Sequence, residues 1–157
     1  MKEIQLTQGK VTLIDDEDFE KVNQFKWYYL NVGYAVRSVW INNKCNTILL
    51  HRYLLGLKKG DSIEVDHIDG NKLNNIRYNL RECTGKQNKC NKLKLITNTS
   101  GYKGVYWHKG AQKWCAQIAT NGIHVYLGLY SNLNDAAFAY DNAALKYHGK
   151  FANLNLK

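Results

Sequence analysis

Apolar residues in the first sixty positions recur in short alternating runs rather than long helical stretches. Residues 4–7 and Val11–Ile14 predict two strands around a Gly9-Lys10 turn. Phe19, Val22 and Phe25 repeat at three-residue spacing and predict a short helix, with Asp15 as its candidate N-cap. Residues 27–30 and 34–39 predict a hairpin around Asn31-Val32-Gly33, and residues 47–50 lead into a segment at 52–57 that ends at Gly60.

The pattern changes after residue 61. Residues 62–67 read as a strand, Asp69-Gly70 as a turn, and Asn71, Asn74 and Asn75 as an ordered polar loop. A strand at 79–83 precedes Thr84-x-x-Gln87, a capping box opening a helix that carries Lys86, Lys89, Lys92 and Lys94. A polar joint at 95–100 places a domain boundary near residue 97. Beyond it, residues 104–109, 113–120 and 124–130 predict three strands, the last two joined by the favoured hairpin dipeptide Asn121-Gly122. One helix follows, with Asn132 as N-cap, Asp135 at N3 and Gly149 as its stop. Ala136, Ala137, Ala143 and Ala144 let that helix lie close against a sheet. The fold class is α+β: a small mixed N-terminal module, a strand–loop–strand–helix core, then a three-stranded antiparallel sheet packed on one helix.

Composition narrows the partners. In 157 residues there are 22 Lys and Arg against 13 Asp and Glu, a net charge of +9 that favours a polyanion. Residues 1–97 hold 16 cations and 11 acids and residues 98–157 hold six and two, so both halves are basic. No apolar run reaches the roughly 18–20 residues that span a bilayer, and acidic positions 15–18 do not suit a signal peptide. A membrane partner is not expected, and no protein partner is implied. Cys45, Cys83, Cys90 and Cys115 form no Cys-x-x-Cys pair, which fits reduced thiols in a cytoplasm. The chain lacks proline, so no Pro-rich spacer separates modules.

One cluster could carry chemistry. Asp66-His67 sits at a strand end before a tight turn, with Asn79 and Asn88 downstream. Phosphodiester hydrolysis needs a base for water, a cation for the developing charge, and groups that hold both in place. His67 suits the base, since an ordinary imidazole is mostly neutral at pH 7. Asp66 and the Asn88 carbonyl are hard oxygen donors suited to Mg²⁺. Asn79 could accept a hydrogen bond from the imidazole and set its tautomer.

Val65-Asp-His-Ile-Asp-Gly-Asn71, with Asn74-Asn75, Asn79-Leu-Arg81 and Gln87-Asn88, resembles the HNH endonucleases of the phage and intron homing type. The resemblance implies a ββα-metal core at about residues 62–94 inside an endonuclease domain of residues 1–97. It also implies Asp66 and Asn88 as metal ligands, His67 as general base and Asn79 as its orienting residue. The last ligand position, often His in that family, is Asn here, which makes an H-N-N variant. The cofactor implied is a divalent metal, Mg²⁺ with Mn²⁺ as the alternative. Arg52, Arg77, Arg81, Lys86 and Lys89 are candidate DNA contacts; His51 beside Arg52 reads either as a phosphate contact near the metal or as a partly buried ring.

Tyr102-Lys-Gly-Val105, Lys113-Trp-Cys-Ala-Gln-Ile118, Val125-Tyr-Leu-Gly128 and the Ala-rich helix, closing with Asn153-Leu-Asn155, resemble the Apetala-two/ethylene-response-factor DNA-binding domain. The likeness covers residues 98–157 and implies a sheet docked in the DNA major groove. Matching positions imply DNA contacts from Lys103, Gly104, Tyr106, His108, Gln117, His124 and Tyr126, and Lys113 lies on the same strands. Trp114, Ile118, Leu127 and Tyr140 read as core. Together these features predict a metal-dependent, site-specific endonuclease acting on double-stranded DNA in a bacterial or phage-infected cell. A non-catalytic DNA-binding regulator is the alternative, and a basic scaffold or RNA-binding protein is a third. A monomer would nick one strand, whereas a homodimer could cut both.

Overall fold

The computed structural model describes residues 1–92, 94 and 97–156; positions 95 and 96 of the predicted joint lie outside them. The chain is a mixed α+β protein whose named strands pair antiparallel throughout, with few helices. It divides into two compact units, Met1–Gly85 and Lys86–Lys157.

In the first unit, β1 (Lys2–Gln5) and β2 (Val11–Ile14) form a hairpin in register from Lys2 opposite Ile14 to Gln5 opposite Val11. A 3-10 turn at Asp16–Asp18 runs into the short helix α1 (Phe19–Asn23). Asp15 was expected to cap this helix, but its side chain makes no cap bond and accepts from the Arg77 backbone N–H instead (2.7 Å). The strands β3 (Tyr28–Tyr29), β4 (Ala35–Ile41) and β5 (Lys44–Leu49) make one sheet in that order, and α2 (Leu50–Leu54) follows. A second hairpin joins β6 (Glu64–His67) to β7 (Leu80–Cys83), with Asp66 opposite Arg81. Asn79, expected at the start of β7, lies in a 3-10 turn at Arg77–Asn79 just before it. Ile4, Ile14, Val22, Trp27, Leu50 and Val65 form the heart of one core to which the hairpins, α1 and α2 all contribute.

The polar stretch between β6 and β7 is ordered by its own side chains. Asp69 accepts from the Asn71 N–H (2.7 Å) and from Asn74 Nδ2 (2.7 Å), and Asn71 accepts from the Leu73 N–H (3.1 Å). The loop then lies alongside β2: Leu13 N–H donates to Leu73 O (2.9 Å), and Asn75 N–H donates to Leu13 O (2.8 Å). A segment with almost no apolar content is thereby held by its own side chains and by backbone bonds to β2.

The second unit begins in the first turn of α3 (Gly85–Asn91), which stops before Lys92 and Lys94, so these two predicted helix residues lie past its end. Its sheet has the order β10-β9-β8, from β8 (Val105–His108), β9 (Lys113–Thr120) and β10 (Ile123–Tyr130). Asn121 and Gly122 both take positive φ, the geometry that a two-residue hairpin requires. A bulge between Tyr126 and Gly128 turns the end of β10. Helix α4 (Leu133–His148) is capped by Asn132, whose side chain accepts from the Asn134 N–H (2.7 Å), and ends at Gly149 as expected. Ala136, Ala143, Ala144 and Tyr140 of α4 pack on Val105, Ala116 and Ile118 of the sheet. Asp141 accepts from the Asn155 and Leu156 N–H groups (2.8 Å each), and Asn155 bonds both the N–H and the C=O of Lys103. The terminal Asn-Leu-Asn is thus a staple for the sheet's first strand.

Gly104 is where this packing is tightest. It has φ +73°, and a Cβ there would meet the Tyr140 ring and Gln117 O. Gly104→Ala should therefore destabilise the second unit by roughly 3 kcal/mol, read as a lower denaturant midpoint.

Candidate active site and nucleic-acid interface

β6 ends in the two residues singled out from the sequence. Asp66 and His67 are each only 5 % exposed, because β6 lies across the first unit's core. The His67 ring stands 5.1 Å from that of His51, nearly perpendicular to it, and 6.2 Å from Tyr34. His51, the first full turn of α2, is in turn 5.1 Å from Tyr34. Burial is the main cause that pushes His51 down to about 3, with the neighbouring His67 and Arg52 acting the same way. Burial also lowers His67 below the ordinary histidine value, partly opposed by the Asn75 bond and by the nearby Asp69 and Asp66. Both rings are neutral at neutral pH, the state a proton acceptor needs. Of the two readings of His51, the structure supports the buried ring.

The residue that holds His67 is Asn75, not Asn79. Asn75 is fully buried; its Oδ1 faces His67 Nε2 at 3.2 Å, and its Nδ2 donates to Thr12 Oγ1 (2.7 Å) and Lys72 O (3.4 Å). A backbone carbonyl only accepts, so the amide's orientation is set, and its oxygen must receive the His67 Nε2 proton. The lone pair of the neutral ring then lies on Nδ1. Thr12 completes the chain by donating to Leu73 O (2.7 Å). Asn79 was expected on the imidazole, but its amide instead bonds the Asp69 carboxylate and backbone N–H and the Asn74 carbonyl, each at 2.8–2.9 Å. It closes the loop after His67 and acts on the ring only through that loop. The Asn74-Asn75 pair was visible in the sequence as loop composition; nothing in its spacing marked which amide would be buried.

Arg81, directly across the β6–β7 ladder, donates from Nε (2.8 Å) and Nη2 (2.6 Å) to Asp66 Oδ2. This contact anchors one oxygen of the carboxylate and gives Arg81 an internal partner in place of the expected phosphate. Asn88 lies half-buried on α3. Among the described residues no three His, Cys, Asp or Glu side chains could hold a metal ion together. Asp66 belongs to the first unit and Asn88 to the second; each offers a hard oxygen donor of the type that a divalent cation takes.

Four more expected DNA contacts have internal work instead. Arg52 donates to Ile63 O (2.6 Å), Lys58 O (2.7 Å) and Asp61 O (3.4 Å), tying down the 58–63 loop. Arg77 forms a two-pronged pair with the buried Asp18 (2.7 and 2.8 Å), while Asp15 holds its backbone. Lys103 Nζ donates to Cys90 O (2.6 Å) and Lys92 O (2.7 Å), satisfying carbonyls at the end of α3, and burial lowers its ammonium below the usual lysine range. Gly104 is reserved for close packing. Arginine and lysine counts overstated the charge available to a ligand because carbonyls left bare at turns and helix ends need donors too.

Lys86 and Lys89 are exposed on α3. Tyr106, His108, Lys113, Gln117, His124 and Tyr126 all lie on the sheet face opposite α4: Tyr106 pairs with Cys115, His108 with Lys113, Tyr126 with Gln117 and His124 with Ala119. His108 Nδ1 accepts from the Ala111 N–H (3.0 Å), which leaves its proton on Nε2 as a donor. The face is a surface of aromatic, amide and cationic groups.

Comparisons with known proteins agree with both units. Residues 49–90 match the family described as HNH endonuclease, and residues 100–150 match the AP2 domain. A protein of Acanthamoeba polyphaga mimivirus named as an uncharacterized HNH endonuclease is 32 % identical over 152 residues, 94 % of this chain and 76 % of that protein. Protein 3.8 of Escherichia phage T7 is 35 % identical over 88 residues, 56 % of this chain and 72 % of that one. APETALA2-like protein 2 of Oryza sativa is 37 % identical over 59 residues, 38 % of this chain and 14 % of that protein. The chain therefore belongs to the HNH endonucleases, DNA-hydrolysing nucleases, and carries an AP2-like domain in its C-terminal part.

Two outcomes follow from the geometry. Asn75→Ala should cut cleavage roughly 10- to 100-fold, as loss of an orienting partner does elsewhere, and ¹⁵N spectra of His67 should show loss of the Nε2–H tautomer. Arg52→Ala and Arg77→Ala should lower the unfolding midpoint, Arg77→Ala by roughly 2 kcal/mol because it strands buried Asp18, while DNA affinity stays unchanged in a mobility-shift titration.

Proposed function

We propose that this protein is a metal-dependent, site-specific endonuclease of double-stranded DNA, of the homing or nicking type. The observation that carries this reading is the buried, neutral His67 held by Asn75 beside Asp66. His67 accepts the proton of the attacking water at Nδ1 while Asn75 retains the proton at Nε2. Asp66 and Asn88 would hold a divalent cation, most simply Mg²⁺ with Mn²⁺ accepted by the same oxygens. When bound, that cation supplies charge neutralisation for the phosphate and the leaving oxygen. Arg81 keeps Asp66 in one orientation, and Asn79 keeps the loop after His67 closed.

Residues 1–97 serve as the nuclease domain in this reading, with residues 62–94 as the ββα-metal core. Residues 98–157 select the site: the sheet face with Tyr106, His108, Lys113, Gln117, His124 and Tyr126 reads base edges in the major groove. Lys86 and Lys89 supply phosphate contacts, which position the duplex without choosing its sequence.

The test is cleavage of a supercoiled plasmid library with randomised inserts, with Mg²⁺ and with EDTA. The native protein should nick or linearise a defined subset only when Mg²⁺ is present. His67→Ala and Asp66→Ala should each lose on the order of a hundredfold or more in rate while keeping DNA affinity. Binding to the recovered site without metal-dependent cleavage would sink the enzyme reading in favour of a DNA-binding regulator.

A further inference from the structure

The first unit carries an apolar projection that neither the active site nor the sheet face uses. β3 pairs with β4 only at Tyr28–Val36 and Tyr29–Ala35. Beyond Val36, β4 and β5 continue alone as a two-stranded ribbon of five further pairs, from Arg37–Ile48 to Ile41–Lys44. At about 3.4 Å per residue the ribbon is roughly 17 Å long, more than enough to reach the floor of a DNA major groove about 8.5 Å deep. Asn42 and Asn43 close it in a tight turn with φ 49° and 58°. Its base is anchored: the Arg37 guanidinium stacks over the Phe25 ring at 3.8 Å and lies near Tyr53 and Trp27.

Its tip is the reverse of anchored. Trp40 is 73 % exposed and Ile41 53 % exposed, on opposite sides of the ribbon. An exposed Trp beside an exposed Ile at the end of a two-stranded ribbon is an apolar surface of the kind that takes a partner. Charge says which partner. No Asp or Glu occurs between Glu20 and Asp61, a span that holds seven Lys and Arg residues. Lys44, Lys58 and Lys59 are exposed, and Lys59 Nζ reaches back to the ribbon at Asn46 Oδ1 (2.8 Å). Asp61, the first acid beyond that span, is held by the Lys58 N–H (2.7 Å), and the excess of lysines along the span favours a polyanion over a basic partner. It suits a duplex, whose phosphates meet the lysines while its stacked bases meet the ring.

We propose that the β4–β5 ribbon is a second DNA-contacting element, within the nuclease unit itself, whose Trp40 wedges into the duplex and unstacks a base step near the cut while Ile41, on the ribbon's other side, packs against the groove. The ribbon's two-stranded section fits a groove, and its Asn-Asn turn sets the wedge at the leading end. Pyrimidine–purine steps unstack most easily, so the ribbon biases cleavage toward sites that contain one at the matching position. This inference rests on the endonuclease reading.

The experiment uses the full chain and a duplex carrying a site that the native protein cleaves, with 2-aminopurine placed in turn at steps around the cut, in Ca²⁺ or EDTA to hold it uncut. Binding of native protein should raise fluorescence at one step. Trp40→Ala should abolish the rise and weaken binding roughly tenfold, the scale of one lost base–aromatic stack, whereas Trp40→Phe should keep most of both. His67→Ala should retain the fluorescence rise although it does not cut, which separates this idea from the chemistry. Two results would overturn it: no step brightens although native protein binds and cuts, or Trp40→Ala binds, brightens and cuts like native. Conversion of a dimer to a monomer by Trp40→Ala, seen by sedimentation, with DNA signals unchanged, would instead assign the ribbon to a second copy of the chain.

Discussion

The first unit depends on one buried amide. Asn75 has no exposed surface, and an amide placed there must find partners for both its ends or lose several kcal/mol. It finds Thr12 and the Lys72 carbonyl on one side and His67 on the other. Because each partner belongs to a different segment, the N-terminal hairpin, the polar loop and the end of β6 can only be brought together in one arrangement. The same bond that satisfies the amide leaves the imidazole with its proton on Nε2 and its basic nitrogen at Nδ1. One hydrogen bond both satisfies the buried amide and orients the imidazole, and it ties the loop of asparagines to the end of β6.

Charge in this protein divides by a similar logic. Asp15 and Asp18, an acidic cluster that looked like helix-capping material, hold the backbone and side chain of Arg77. Arg52 and Lys103 spend their donors on loop and helix-end carbonyls, and Arg81 spends its own on Asp66. Apart from the paired Arg77, the cations exposed at the surface, among them Lys44, Lys58, Lys59, Lys86, Lys89 and Lys113, are lysines. Arginine's planar fork suits fixed internal geometry, whereas a flexible ammonium suits a phosphate whose position varies. The net charge of +9 therefore indicated the partner class correctly while most of the arginines behind it serve the fold.

Much of the architecture was legible before any coordinates. The alternating runs located the second unit's three strands almost to the residue, and Asn132 and Gly149 marked the ends of α4, because hairpin dipeptides and helix caps act over a few residues. Asp66 and His67 were legible as a pair for the same reason: adjacent positions at a strand end before Asp-Gly. The partners of each side chain were less so. Asn79 and Asn75 sit four apart in one polar loop, and which of them meets the imidazole depends on how that loop lies against β2, more than fifty residues earlier in the chain.

The sequence by itself determined the element types, the two families of motif, the excess of positive charge and the Asp-His pair at the end of a strand, since periodicity, capping and side-chain chemistry are local properties. Tertiary structure alone decided the tautomer of His67, the internal assignment of Arg52, Arg77, Arg81 and Lys103, and the exposure of Trp40 at a ribbon tip. Each of those depends on desolvation or on a hydrogen bond between distant segments. Burial and long-range pairing arise only when the chain has closed on itself, and no spacing along the sequence carries them.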